Sequence, residues 1–372
     1  MSFCHYYDNA QCRSCELIEQ PYPQQLQHKN DTLHQILDPF QPTTWLTPVS
    51  GATTGFRNKA KMVASPSASG VVLGLSAGRS LTACPLYDSH MQKILQQLQG
   101  WLRTIGVKAY NVKRKSGELK YVLLTRSSHD NAMMLRFVLR STALISKLQQ
   151  GLDSLLKIAP LIQVVSVNIQ PVHMAILEGD EETFLTRQTR LEERLNNVPL
   201  FIRPKSFFQT NPEVAARLYK TAAEWVDQSQ ATQVMDLFCG VGGFALHVAK
   251  PGRTVIGIEI EPEAIACAQE SARLSGIDGL RFQALDANHY SAHTPTAPDV
   301  LIVNPPRRGL GAELCDWVEA TGPAQVVYSS CNALSLAKDL ALLPSYQVDR
   351  VQLFDMFPHT RHFETLVLLV RE

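Results

Sequence analysis

The sequence predicts an α/β fold over residues 196–372, preceded by an α+β region over residues 1–195. Three observations carry this. From Pro212 onward, apolar runs of strand length alternate with segments of helical spacing, the pattern of a parallel sheet wrapped by helices. Before residue 195 the strand-like runs are short, and turn formers such as Ser127-Ser128-His129-Asp130-Asn131 separate some of them. The chain has 372 residues, 45% hydrophobic and 19% charged, enough for two globular domains.

In the second half, Pro212–Trp225, Gly242–Ala249 and Pro262–Leu274 space their apolar residues as helices. Gln233–Phe238, Thr254–Glu259, Leu280–Ala284, Asp299–Val303 and Gln325–Ser329 are the expected parallel strands. Val348–Asp355 and Glu364–Val370, separated by Met356 to Phe363, are expected to form an antiparallel hairpin at the sheet edge. In the first half, Gly70–Leu75, Lys120–Thr125, Met133–Leu139, Val164–Ile169 and His173–Leu177 read as strands. His90–Leu102 and Leu144–Leu156 read as helices.

No apolar run reaches the length of a membrane span, and Met1 to Asn9 lacks the basic-then-apolar order of a secretory signal. The expectation is a cytoplasmic protein with no membrane partner; nothing implies a protein partner. Eight cysteines in that compartment read as ligands, nucleophiles or core residues, not as disulfides. The net charge of +1 announces no polyanion. Locally, Arg103 to Arg140 holds nine Lys/Arg against Glu118 and Asp130. That stretch is either a phosphate-holding patch or a solvated basic face.

The chemistry concentrates at strand ends of the second half. Val234-Met235-Asp236-Leu237-Phe238-Cys239-Gly240-Val241-Gly242-Gly243-Phe244 reads as a strand, a glycine turn and a helix start. Glycines there let backbone approach a ligand. Glu259 ends the next strand, 23 residues after Asp236, where an acid suits a ribose diol. Asp286 follows the third strand and is placed to face an adenine edge. Gly-x-Gly-Gly differs from the Gly-x-Gly-x-x-Gly of dinucleotide sites. It looks like the S-adenosylmethionine loop of class I methyltransferases. Asn304-Pro305-Pro306-Arg307-Arg308-Gly309 follows another strand, its amide able to meet a planar base or the cofactor. Cys331, in Tyr328-Ser329-Ser330-Cys331-Asn332, lies between a strand and a helix start. The helix dipole there is expected to lower the thiol pKa.

Cys4, Cys12 and Cys15, with Cys84 next, could close a zinc site or an iron-sulfur cluster, and spacing does not separate the two. The set lacks the Cys-x3-Cys-x2-Cys pattern of radical enzymes. Cys239, Cys267 and Cys315 read as core.

These segments together resemble the RNA uracil-C5 methyltransferases. Phe207-Phe208-Gln209-Thr210-Asn211, the Asp236 loop, Asn304-Pro305-Pro306-Arg307, Ser329-Ser330-Cys331-Asn332 and His362-Phe363-Glu364 occur in the family's order. Gly55 to Met62, Val167 to Met174 and Phe354 to Thr360 extend the likeness to members acting on 23S ribosomal RNA. Many relatives carry Asp where this chain has Asn304, so only a hydrogen-bonding role carries over there. The resemblance implies a class I S-adenosylmethionine-dependent, Rossmann-like catalytic domain at 196–372. It also implies an iron-sulfur-bearing, RNA-binding region at 1–195, its cluster segment 1–20 plus Cys84. It implies Cys331 as nucleophile and Glu364 as base. Gln209, Phe238, Glu259 and Asn304 become cofactor contacts. A 4Fe-4S cluster on Cys4, Cys12, Cys15 and Cys84 is implied, with zinc as the alternative. The implied partner is 23S ribosomal RNA, with transfer RNA as a further possibility. Two rivals differ in class: an exocyclic-amine methyltransferase, which leaves Cys331 and Glu364 without roles, and a non-catalytic RNA-binding assembly factor.

Overall fold

Apolar runs bounded by turn residues become the strands of two large sheets and of one two-stranded sheet, Leu191–Leu195 with Val198–Ile202. The computed structural model describes residues 2–75, 78–172, 177–292 and 297–372. It divides into two units: Met1–Cys15 with Thr53–Glu193, and Glu16–Ala52 with Arg194–Glu372. The sequence reading drew one boundary near 195; the structure instead groups Glu16–Ala52 with the C-terminal residues.

The first unit holds a seven-stranded sheet. In spatial order its strands are Arg79–Ser80, Gly70–Leu75, Lys59–Ser67, Leu119–Arg126, Met133–Leu139, Ile162–Ile169 and Glu181–Phe184. Neighbours are antiparallel except Met133–Leu139 and Ile162–Ile169, which run parallel and are joined through the helix Ile145–Ile158. That is the expected cost of a parallel pair: a crossover long enough for a helix. The helix Ser89–Thr104 starts on Asp88, whose carboxylate accepts from the Met91 N–H, and buries Met91, Leu95 and Leu98. The predicted strand His173–Leu177 falls mostly on residues 173–176, outside the described residues.

Five of the nine basic residues in the stretch are tied to partners within the fold. Arg136 is buried against Glu178 and Glu182. Lys120 is buried and donates to the carbonyls of Gln170 and Val172, each 2.7 Å away. Arg140 pairs with Glu118, Arg126 with Asp88, and Arg103 donates to the Val71 carbonyl. Buried cations need partners, and these have them. The exposed remainder is Lys108, Lys113, Arg114 and Lys115.

The second unit contains helices α1 (Tyr22–Leu37), α2 (Pro212–Gln228), α3 (Gly243–Val248), α4 (Pro262–Ser275), α5 (Ala287–Ala292), α6 (Ala312–Thr321) and α7 (Ala333–Leu340). The strands of its large sheet are β1 (Thr44–Trp45), β2 (Gln233–Leu237), β3 (Thr254–Glu259), β4 (Leu280–Ala284), β5 (Val300–Val303), β6 (Gln325–Ser330), β7 (Tyr346–Phe354) and β8 (Glu364–Arg371). The sheet order is β1-β7-β8-β6-β5-β2-β3-β4. Strands β4, β3, β2, β5 and β6 are parallel neighbours, whereas β8 is antiparallel to both β6 and β7. This is a Rossmann-like α/β sheet. The hairpin forms as predicted, but the edge strand beyond it is β1, parallel to β7.

Two features of this topology place the site. The chain runs outward through β2, β3 and β4, then returns to the other side of β2 as β5. Ligands of open α/β sheets bind at the strand carboxyl ends beside such a reversal. Because β8 is antiparallel, its first residue lies at the edge where the parallel strands end. A strand start and several strand ends thereby share one rim. Among the described residues, no helix is long and apolar enough to cross a membrane.

Candidate active site

The loop after β2 is shaped by its own backbone. Phe238 takes φ +63°, a left-handed conformation that costs a bulky side chain about 1–3 kcal/mol. Gly240 and Gly242 also have positive φ, which glycine adopts without strain. A Cβ on Gly243 would lie 2.6 Å from the Tyr219 hydroxyl oxygen, so only glycine admits the α3 start against α2 there. Beside Gly240, by contrast, lies open space. The Gly240 N–H donates to Glu259 Oε2 at 3.2 Å, tying the end of β3 to the loop. The Glu261 N–H donates to the other oxygen at 3.1 Å.

Asp236 is fully buried. Its Oδ2 accepts the Ala245 N–H at 2.9 Å, while Oδ1 has no partner. Burial pushes this carboxyl up to about 8, with the Glu259 charge adding to the rise. It braces the loop from below.

A cleft beside this loop is lined by Phe207, Phe208, Tyr219, Phe238, Gly240 and Asn304, among others. Its enclosed part is only about 30 Å³, room for one end of a ligand that otherwise lies along the open rim. Of the four predicted cofactor residues, Phe238 and Asn304 meet in this cleft, and Glu259 reaches the loop through Gly240. Gln209 is buried, following the cleft-lining Phe208. Asp286, expected at an adenine edge, accepts instead from the N–H groups of Asn288 and His289 and so caps α5.

The thiol and the carboxyl stand opposite one another. Ser330 pairs with Thr365 at the end of the β6–β8 ladder; Cys331 follows the one and Glu364 precedes the other, and the Glu364 charge acts on the thiol. Side chains alternate along a strand, which puts Ser329 on the same face as both. The Ser329 hydroxyl donates to Glu364 Oε1 at 2.6 Å. Burial pushes the Glu364 carboxyl up to about 7, against the lowering effect of that hydrogen bond. The value suits a group that takes a proton near neutral pH.

The Cys331 thiol departs from expectation. Burial raises its pKa, and the Glu364 charge raises it further; Arg307 opposes both. The helix-dipole argument predicted a fall. It loses because α7 is short and because desolvation disfavours the thiolate directly. Cys331 lines a cavity of about 140 Å³ with Arg307, Asn332, Leu334, His362 and Phe363. Asn332 caps α7 by accepting the Leu334 N–H at 3.2 Å, and its amide donates to the Arg307 carbonyl at 3.0 Å. Arg307 in turn donates to His362 Nδ1 at 3.2 Å. Below them Asp339 accepts from the Leu310 and Gly311 N–H groups and from the Tyr328 hydroxyl, joining the Pro-Pro loop to α7.

Ser329 and Tyr219 were not singled out from sequence. Ser329 had a signal in the two-residue repeat that sets it with Cys331. Tyr219 had none, since an aromatic on an amphipathic helix reads as core.

In the first unit, Cys4, Cys12, Cys15 and Cys84 line one cavity of about 180 Å³, with Tyr6, Tyr7, Arg57, Lys61 and Tyr87. All four thiols are free. Burial, with the neighbouring cysteines adding, pushes Cys15 up to about 12. Among the described residues, no group of three His, Cys, Asp or Glu converges closely enough to hold a metal ion. Cys239, Cys267 and Cys315 are buried, as expected.

Known proteins resemble this chain in sequence and fold. The family model for tRNA (Uracil-5-)-methyltransferase matches residues 181–297 and 294–372. This chain belongs to that family. A Vibrio cholerae 23S rRNA (uracil(747)-C(5))-methyltransferase RlmC is 52% identical over 99% of this chain and 100% of its own length. An Escherichia coli protein of the same name is 50% identical over the same shares. Among solved structures, the Pyrococcus abyssi tRNA (uracil-54, C5)-methyltransferase in complex with S-adenosyl-L-homocysteine superposes with a TM-score of 0.79. It is 25% identical, over 96% of this chain and 86% of that one.

Proposed function

We propose that this protein methylates C5 of a uracil in 23S ribosomal RNA, uridine 747, through a covalent bond from Cys331 to C6. The observation that carries the reading is the opposition of Cys331 and Glu364 across β6 and β8, at the rim where the glycine loop and Asn304 also end. The relatives' names supply the RNA and the position.

Uracil C5 is a weak nucleophile. Addition of the Cys331 thiolate to C6 moves the ring electrons toward C5. S-adenosylmethionine, when bound, supplies an electrophilic methyl group. C5 then carries both the methyl and its original hydrogen. Glu364 takes that hydrogen as a proton; the C5–H electrons restore the C5=C6 double bond, and the C6–S bond breaks to return the thiolate. Ser329 holds the carboxylate for this step, and Arg307 offsets negative charge near the thiol. The base must leave its stack to reach Cys331, which a loop uridine does at least cost.

The rim's chemistry fits the methyl donor: an acid for a ribose diol at Glu259, aromatic faces at Phe238, and amides at Gln209 and Asn304. The first unit would bring the RNA, its exposed Lys108, Lys113, Arg114 and Lys115 meeting phosphates. Four cysteines around one cavity, with apolar and tyrosine walls, are a donor set for a 4Fe-4S cluster. A single zinc ion, the alternative on the same thiols, would need them drawn closer together than they stand. The cluster would supply a cross-link between residues 4–15 and Cys84, not a step of the reaction. A ribosomal RNA substrate supports a cytoplasmic site of action.

The test is a covalent trap. The protein is incubated with 5-fluorouridine-substituted 23S ribosomal RNA and S-adenosylmethionine, and adducts are resolved on a denaturing gel. Fluorine does not leave as a proton, so the adduct persists and its mapping names the uridine. An adduct that needs the methyl donor and vanishes in Cys331→Ala is expected. No adduct from binding-competent protein overturns the thiolate mechanism.

A further inference from the structure

We infer that Lys29 and Asp355 are positioning residues for the proton transfer, acting through Glu364. The inference rests on the reading of Glu364 as the group that takes the C5 proton. Lys29 lies on α1 and Asp355 directly follows β7; their side chains are 1% and 0% exposed. Lys29 Nζ donates to Asp355 Oδ1 at 2.7 Å and to the Phe357 carbonyl at 3.0 Å. The Tyr22 hydroxyl, also on α1, donates to Asp355 Oδ2 at 2.8 Å. A buried ion pair is a poor device for stability, because desolvation offsets its attraction. Its value lies in fixing one geometry, and here the geometry is that of the loop between β7 and β8.

That loop is held along its length by residues 16–52. The Asp355 N–H donates to the Val49 carbonyl at 2.7 Å. The His359 N–H donates to Gln25 Oε1 at 3.0 Å, and the Leu17 N–H donates to the His359 carbonyl at 2.9 Å. His359 itself sits at φ +67°, a conformation that external partners must hold. Asn211, the cap of α2, donates to the Met356 carbonyl at 3.4 Å. Five residues after His359 the chain enters β8 at Glu364. The position of the carboxyl at the strand start therefore depends on where this loop delivers the chain. Neither Lys29 nor Asp355 lines the thiol's cavity.

If the clamp slackens, Cys331 keeps its place at the end of β6, although His362 and Phe363 of the loop line its cavity, so thiolate addition and methyl transfer are slowed less than the proton transfer. The later step suffers. Methylated RNA then stays bonded to Cys331 because the C5 proton is not removed.

The experiment compares Lys29→Met, Glu364→Gln and the parent full-length protein, each with S-adenosylmethionine and unsubstituted 23S ribosomal RNA transcript. Denaturing gels measure the adduct, and release of methylated RNA measures turnover. Both variants are expected to accumulate adduct on natural uridine, with turnover in Lys29→Met down about a hundredfold, as a misplaced reacting group costs. Accumulation in Glu364→Gln with none in Lys29→Met overturns the positioning role while leaving the role of Glu364 intact. No accumulation in Glu364→Gln overturns both. Should Lys29→Met fail to fold, Tyr22→Phe removes one bond to Asp355 at a half-buried site and is judged by the same gel: partial accumulation supports the clamp, and none overturns it.

Discussion

Ser329→Ala isolates one hydrogen bond at the centre of the mechanism. The Ser329 hydroxyl donates to Glu364 Oε1 at 2.6 Å and holds down a carboxyl that burial pushes up to about 7. A hydrogen bond to a charged group contributes about 1.5–3 kcal/mol. The neutral acid keeps part of it, so a difference of about 1.4 kcal/mol between the two states is reasonable, about one pKa unit. The base must be ionised to act. At pH 7 about half of the parent carboxyl is charged; one unit higher leaves about a tenth. The variant should turn over about fivefold more slowly at pH 7 and approach the parent at about pH 9. The assay is methyl transfer to 23S transcript at saturating substrates from pH 5.5 to 9.5. A profile that keeps its midpoint, or a loss equal at every pH, refutes the reasoning and makes Ser329 only a packing residue.

Three further outcomes follow from the same geometry. Glu364→Gln should flatten part of the stability–pH curve. In the folded protein the carboxyl titrates near 7 against 4.5 for the free group, so the native state holds the extra proton between these values. The parent therefore loses stability as pH rises through that window, about 3 kcal/mol from this group. Urea midpoints at pH 5 and 8 should favour the variant only at pH 8; parallel shifts contradict the assignment, and buried Asp236 contributes equally to both proteins. Glu259→Gln should weaken S-adenosylhomocysteine binding about 10–100-fold by calorimetry, the loss of a charge-assisted bond; unchanged affinity removes the diol role. If the proposed cluster organises the first unit for RNA, a chelator should weaken RNA binding more than S-adenosylhomocysteine binding, and equal losses argue against that role.

Strands with strong local signals were legible to the residue: Met133–Leu139 and Thr254–Glu259 are mostly apolar, and Leu280–Ala284 alternates Leu280, Phe282 and Ala284 with Arg281 and Gln283. Lys59–Ser67 was overlooked because Lys59 and Lys61 hide an alternation that buries Ala60, Met62 and Ala64. Helix α1 was overlooked for a related reason. Its inward residues are Gln25, Lys29, Leu33 and Leu37, a helical stripe whose first half is polar. The partners that justify those polar residues, Asp355 and His359, lie more than three hundred positions away. Motif order singled out Cys331 and Glu364 as candidates, but not the direction of the thiol's pKa. A sequence shows that a helix follows; it does not show that burial and a facing carboxyl outweigh the dipole.

The reversed strand explains why so much structure is devoted to a nine-residue loop. In a purely parallel sheet every catalytic residue at the rim follows a strand, and its position is set by the ladder before it. Glu364 begins its strand. Its alignment with Cys331 depends on the β6–β8 register, where a slip of one residue turns a side chain to the other face of the sheet. The β7–β8 ladder has one irregularity, between Val348 and Arg350, so pairing alone leaves the hairpin some freedom at its far end. At the near end, Phe354 opposes Glu364, and the next residue, Asp355, is the one that Lys29 and Tyr22 hold. The clamp thus acts at the last point from which the register of the carboxyl can still be set.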